Sequence, residues 1–109
     1  MRVLLDENIA QQLRLALAGF ETSTVEYMGF ADLDNSELLK QAGALGFDVL
    51  IAGGHIAEYE REPRNKKIAV VALSEPHWPK VKAHTGRIVE AVSRATPGSF
   101  TRVECDEPD

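Results

Sequence analysis

Apolar residues along this chain alternate between short continuous runs and stretches where they recur every three or four positions. Val3-Leu4-Leu5 is too short for a helix and is bounded by polar residues, which predicts a strand buried on both faces. Asn8 can then cap a helix through its side-chain oxygen. Ile9, Leu13, Leu17 and Phe20 follow at spacings of four, four and three, on one face, with Gln11, Gln12 and Arg14 on the other. Gly19 suits the helix end. Thr22-Ser23-Thr24-Val25 reads as a second strand, and strand, helix, strand in that order predicts a parallel crossover.

Residues 26–34 predict an irregular connection with room for a helical turn. A helix from Asp34 or Asn35 to about Leu45, closed by Gly46, follows. Phe47-Asp48-Val49-Leu50-Ile51 predicts a third strand broken by Ala52-Gly53-Gly54, and residues 55–67 a loop or short helix. Ile68 to Leu73 is apolar throughout and predicts a central strand. Pro79 fits the first turn of a long helix, with Val81, Thr85, Ile88, Val92 and Ala95 on its buried side. Pro97-Gly98 predicts a turn, and Ser99 to Cys105 a last strand at a sheet edge. Residues 1–105 are expected to form one domain, with a disordered tail from Asp106 to Asp109. No repeat or low-complexity stretch is visible.

Strands alternating with helices imply an α/β fold with a doubly wound, mostly parallel sheet of about five strands. Ligands in such sheets bind beyond the carboxyl ends of the strands. That rule selects Asp6, Glu7 and Asn8 after the first strand, residues 53–55 after the third, Ser74 and Glu75 after the fourth, and the start of the Asn35 helix.

Composition narrows the class. A length of 109 residues allows one core, and 44% hydrophobic with 27% charged residues is the balance of an ordinary globular domain. No apolar run approaches a membrane span and no export signal is visible; with the single cysteine, Cys105, this predicts a reducing, cytoplasmic setting. A net charge of −5 argues against coating nucleic acid by bulk attraction. Seven of the twelve Lys and Arg lie between residues 61 and 87, however, so Arg61, Arg64, Lys66 and Lys67 are candidates for a local nucleic-acid-binding surface or, equally, for solvated loop charges.

Asp6 and Glu7 directly follow a strand, so one can point into the cleft while the other points away. Magnesium or manganese takes oxygen ligands and keeps several waters, so one or two carboxylates anchor it; two ions would support phosphodiester hydrolysis. The competing role for Asp6 is hydrogen bonding to nearby backbone amides. Asp34-Asn35-Ser36-Glu37 has the form of a capping box, a structural role that competes with ligation by Glu37. His55, His77 and His84 lack paired metal spacing, Gly53-Gly54 is not a phosphate-binding loop, and Trp78 reads as an apolar anchor.

The start Met1 to Asn8, Asn35-Ser36-Glu37-Leu38-Leu39 and Gly46-Phe47-Asp48-Val49-Leu50 resemble the DUF5615 family of PIN-like proteins. Ile68 to Ser74, Trp78-Pro79 and Ala95 to Ser99 extend the resemblance in order over nearly the whole chain. It implies a three-layer α/β/α PIN-like fold and the toxin role of a toxin–antitoxin pair, with magnesium- or manganese-dependent ribonuclease activity. The implied partners are a cognate antitoxin and an RNA substrate; a homodimer is a further expectation, and no membrane. The implied site is Asp6, Glu7, Asn35 and Glu37, with Asp6 and Glu37 toward the metal.

One departure bears on that site. Relatives typically carry an acidic residue followed by Arg and Asn just after the third strand, where this chain has Gly54, His55 and Ile56, while Tyr59 matches. A glycine has no side chain to hold an ion, so the site is expected to be degenerate there. Glu58 or Glu60 could supply the missing carboxylate, and His55 could take a softer metal. A catalytically inactive PIN-like scaffold that binds a protein or RNA is the alternative. A phospho-acceptor receiver would need an aspartate after the third strand and a lysine after the fifth, and the chain offers neither.

Overall fold

The computed structural model describes residues 1–53, 56–60, 67–75 and 77–105, residues 56 and 57 by their backbone alone. The elements in chain order are β1 (Arg2–Leu5), α1 (Leu13–Ala16), β2 (Glu21–Thr24), α2 (Val25–Met28), α3 (Asn35–Ala44) and β3 (Val49–Gly53). They continue with α4 (Ile56–Glu60), β4 (Ala69–Leu73), α5 (Trp78–Lys82), α6 (Thr85–Arg94) and β5 (Phe100–Val103). The five strands form one sheet in the order β2-β1-β3-β4-β5, every pair parallel.

The pleat sorts the core into two layers, because successive strand side chains point to opposite faces. Val3, Leu5, Val49, Ile51, Val71 and Leu73 pack under Leu13 and Leu17 and under Val81, Ile88 and Val92 of α5 and α6. Leu4, Leu50, Ala52, Val70 and Ala72 face the other way, against Val25, Leu38, Leu39 and Tyr59 of α2, α3 and α4. Sheet residues thus separate two helical layers, the α/β/α arrangement. All five residues of β3 and of β4 are buried, as apolar strands covered on both faces must be. Burying a Leu such as Leu50 contributes about 1.5–3 kcal/mol relative to exposure.

Several elements differ from the sequence expectation for local reasons. The first helix shrinks to the four residues of α1, flanked by turns in which Leu13, Arg14 and Leu15 donate to carbonyls three residues back. Its apolar face survives, with Ile9, Leu13 and Leu17 all buried. Asn8 does not cap it: the Asn8 amide is used on another strand. Gly19 does not close it in a left-handed conformation either; among the described residues the glycines with positive φ are Gly29, Gly46 and Gly98.

The third strand starts two residues later than expected and runs through Ala52 and Gly53. The cause is the end of α3. Gly46 sits at φ 89°, its N–H donates to Gly43 O, and the Phe47 N–H reaches back to Ala42 O at 3.0 Å, a Schellman closure. Phe47 is therefore a turn residue, buried, with the Arg2 guanidinium 4.3 Å above its ring. The long helix expected from Pro79 is two, α5 and α6, broken at Ala83-His84. His84 is buried there, and its N–H bonds Val81 O. No proline or glycine occupies the break itself, so periodicity ran through it. Trp78, the first residue of α5, packs against the core, the anchor role expected of it. The expected fraying of residues 106–109 lies outside the described residues.

Candidate functional site

The strand order reverses between β1 and β3, since β2 lies on one side of β1 while β4 and β5 continue beyond β3. Crevices of doubly wound sheets open at such a point, outside the carboxyl ends of the strands. Asp6 occupies it. Its N–H extends the ladder to Ile51 O at 3.0 Å, its C=O accepts from Ile9 N, and its Oδ1 accepts from Asn8 N at 3.4 Å. The local turn thus holds the carboxylate 7% exposed. Asn8 Nδ2 donates to Gly53 O at 3.1 Å, tying the loop after β1 to the last residue of β3.

A cleft of about 120 Å³ opens here. Asp6, Glu7 and Asn8 form one wall, Asn35 a second, and Glu58 with Tyr59 a third; Phe30 and Leu33 supply apolar surface. Both Asp6 and Glu7 line it. Among the described residues its volume is below the roughly 300–1,000 Å³ of small-molecule pockets. Among the described lining residues the charged groups are acidic: Asp6, Glu7 and Glu58. A phosphodiester would approach such a surface only with a compensating cation.

The structure brings together Asp6, Glu7 and Asn35 of the expected site. Glu37 is elsewhere. Asp34 caps α3 by accepting from Glu37 N at 2.9 Å, and the Glu37 carboxylate accepts from Gln41 Nε2 at 3.0 Å. The capping interpretation accounts for this stretch; Glu37 is not a lining residue of the cleft. Glu58 takes its place, and Asn35 Nδ2 donates to Glu58 Oε2 at 3.0 Å. Glu60 is exposed and outside the lining. Gly54, His55, Arg61, Arg64 and Lys66 lie outside the described residues. Lys67 is exposed just before β4, at the amino end of the sheet and beside Gly43, so it stands opposite the cleft.

Among the described residues no three His, Cys, Asp or Glu side chains group closely enough to hold a metal. The donor set as described falls short of a two-ion site, and no catalytic step through a metal follows from it. After β4, Ser74 Oγ accepts from Cys105 N at 2.8 Å and Glu75 Oε1 accepts from His77 N at 3.2 Å. That peptide N–H, foremost, holds the Glu75 carboxyl below its ordinary value. These groups serve the backbone at the ends of β4 and β5, and Cys105 is buried and free of disulfide.

Sequence reasoning missed the donor role of Asn8 and the apolar contribution of Phe30 and Leu33. Nothing local signals either, because Gly53 is 45 residues away from Asn8 in the chain. Comparison with protein-family profiles, curated proteins and solved structures finds no match. No helix among the described residues is long and apolar enough to cross a membrane.

Proposed function

We propose that this chain is a PIN-like domain of magnesium-dependent ribonuclease ancestry, the toxin component of a toxin–antitoxin pair, with an active site degenerate at Gly54. The single observation that supports it best is the place of Asp6. It is a buried carboxylate at the β1/β3 switch point, lining an acidic cleft with Glu7 and Glu58. The resemblance of the chain to the DUF5615 family supplies the reaction class, which fold alone would not. In this reading Asp6 is the principal oxygen donor and Asn35 orients Glu58.

The test is cleavage of single-stranded RNA by the whole chain, with magnesium or chelator, compared with Asp6→Ala. Magnesium-dependent cleavage that Asp6→Ala abolishes supports residual activity at this site. Cleavage surviving both Asp6→Ala and chelation overturns it.

A second reading, a PIN-like scaffold without catalysis that acts by binding a protein partner or RNA, is favoured by the shortage of grouped metal donors among the described residues. It predicts weak magnesium binding by the unmodified chain and a gain on restoring Gly54→Asp, read by calorimetry. Tight magnesium binding and RNA cleavage by the unmodified chain would exclude it.

A further inference from the structure

A second concavity lies on the opposite helical layer, between α6 and the edge strand β5, with a volume of about 440 Å³. Among the described residues, Arg87, Arg94 and Arg102 line it with one acid, Glu90, and with Ala91 and Val103. In a chain of net charge −5, three of the twelve cationic residues line this concavity. Two of them have movable partners. Arg94 pairs with Glu90 at 3.2 Å and Arg102 with Glu104 at 2.6 Å, exposed ion pairs of the kind worth about 0–1 kcal/mol and readily exchanged for another carboxylate.

Arg87 differs. Its Nη1 lies 3.3 Å from Nδ1 of His84, which is 3% exposed. A guanidinium only donates, so in this contact the imidazole Nδ1 is the acceptor. The buried imidazole sits beside the Arg87 guanidinium, and no carboxylate pairs with Arg87 among the described residues. The edge strand beside it adds main-chain capacity. Val70 N bonds Ser99 O and Ser74 N bonds Val103 O, so the alternate residue Arg102 turns its backbone away from β4.

We propose that the α6–β5 groove docks an acidic, extended segment of a partner protein, with Arg87 as its fixed anchor and Arg94 and Arg102 as exchangeable ones. An added strand would take main-chain bonds at Arg102 and place carboxylates on the arginines. Protein is the occupant rather than nucleic acid for two reasons. The groove between the arginines is aliphatic, with no aromatic lining residue on which a base could stack. The net charge of −5 also repels a polyanion more than a short segment with a few carboxylates.

The probe is a fluorescein-labelled peptide of alternating Val and Glu, followed by anisotropy with the full chain at low salt, beside a Val and Gln peptide and a single-stranded RNA oligonucleotide. The expected result is saturable binding of the acidic peptide alone, weakened by salt and reduced about tenfold or more by Arg87→Gln with Arg94→Gln. Both residues are exposed, so circular dichroism should show an unchanged fold. Absence of saturation up to about 1 mM overturns the proposal. So does binding unaffected by the substitutions, or capture of the RNA in preference to the peptide. Neither residue lines the cleft of Asp6, so this outcome is independent of the ribonuclease test.

Discussion

Asn35 Nδ2 donates to Glu58 Oε2 at 3.0 Å, joining the first residue of α3 to α4 on two sides of one cleft. The bond brings a carboxylate next to the surface that Asp6 and Glu7 already make acidic. Glu58 has further interactions, so a double-mutant cycle of Asn35→Ala and Glu58→Ala isolates this one. Glu58 is exposed and Asn35 only half-buried, so the coupling in urea unfolding should be about 0.2–1 kcal/mol. A coupling near zero would mean that solvent replaces the bond and that the two side chains act separately.

Asn8 acts as a donor rather than a helix cap, and the two roles tolerate different replacements. Removing the bond to Gly53 O by Asn8→Ala should lower stability by about 1 kcal/mol. Asn8→Asp should do at least as much harm, because a carboxylate cannot donate and adds charge beside Asp6. A cap would accept Asp freely. Stability retained by Asn8→Asp in chemical denaturation would restore the capping role.

The short α1 contributes through burial rather than through its own helicity. Leu13 is 0% exposed and Leu15 82% exposed, two positions apart. Leu13→Ala should cost about 2–5 kcal/mol, while Leu15→Ala should stay within about 0.5 kcal/mol of the parent. Equal losses would mean that the segment around α1 packs in another register.

Glu75 supplies an acid-sensitive contribution at the end of β4. The His77 N–H holds its carboxyl below the ordinary value, assisted by the His77 side chain and the charge of Lys80 and opposed by burial. A depressed folded-state value contributes stability that is present above the unfolded value and lost as pH falls through the folded one. The stability difference between the parent and Glu75→Gln should therefore be greatest near neutrality and shrink on acidification from about pH 7 to about pH 3, in urea titrations. A difference independent of pH would show that the carboxylate charge plays no part.

The candidate site divides by how local its determinants are. Asp6 and Glu7 could be found from the sequence because an apolar run ending in acids is a one-dimensional pattern with a three-dimensional rule attached. The Asp34 cap was legible for the same reason, since its partner is three residues away. Glu37 was assigned to the same cleft from a resemblance, and its bond to Gln41 one turn further along α3 puts it outside the lining.

The alternation of apolar runs and helical periodicities determined the α/β class, the order of the strands along the chain, the burial of β1 and the interior place of β4. Burial of apolar surface is dictated by which positions are apolar, and that is written in the chain itself. Tertiary structure alone decided that β1 lies between β2 and β3 and that α6 faces β5. It alone decided that Asn8 reaches Gly53, Asn35 reaches Glu58 and His84 holds Arg87. Each of those outcomes depends on a polar group finding the partner nearest to it once the layers have packed. Hydrogen bonds between distant segments leave no period in the sequence, so the cleft and the arginine groove emerge only when the sheet has formed.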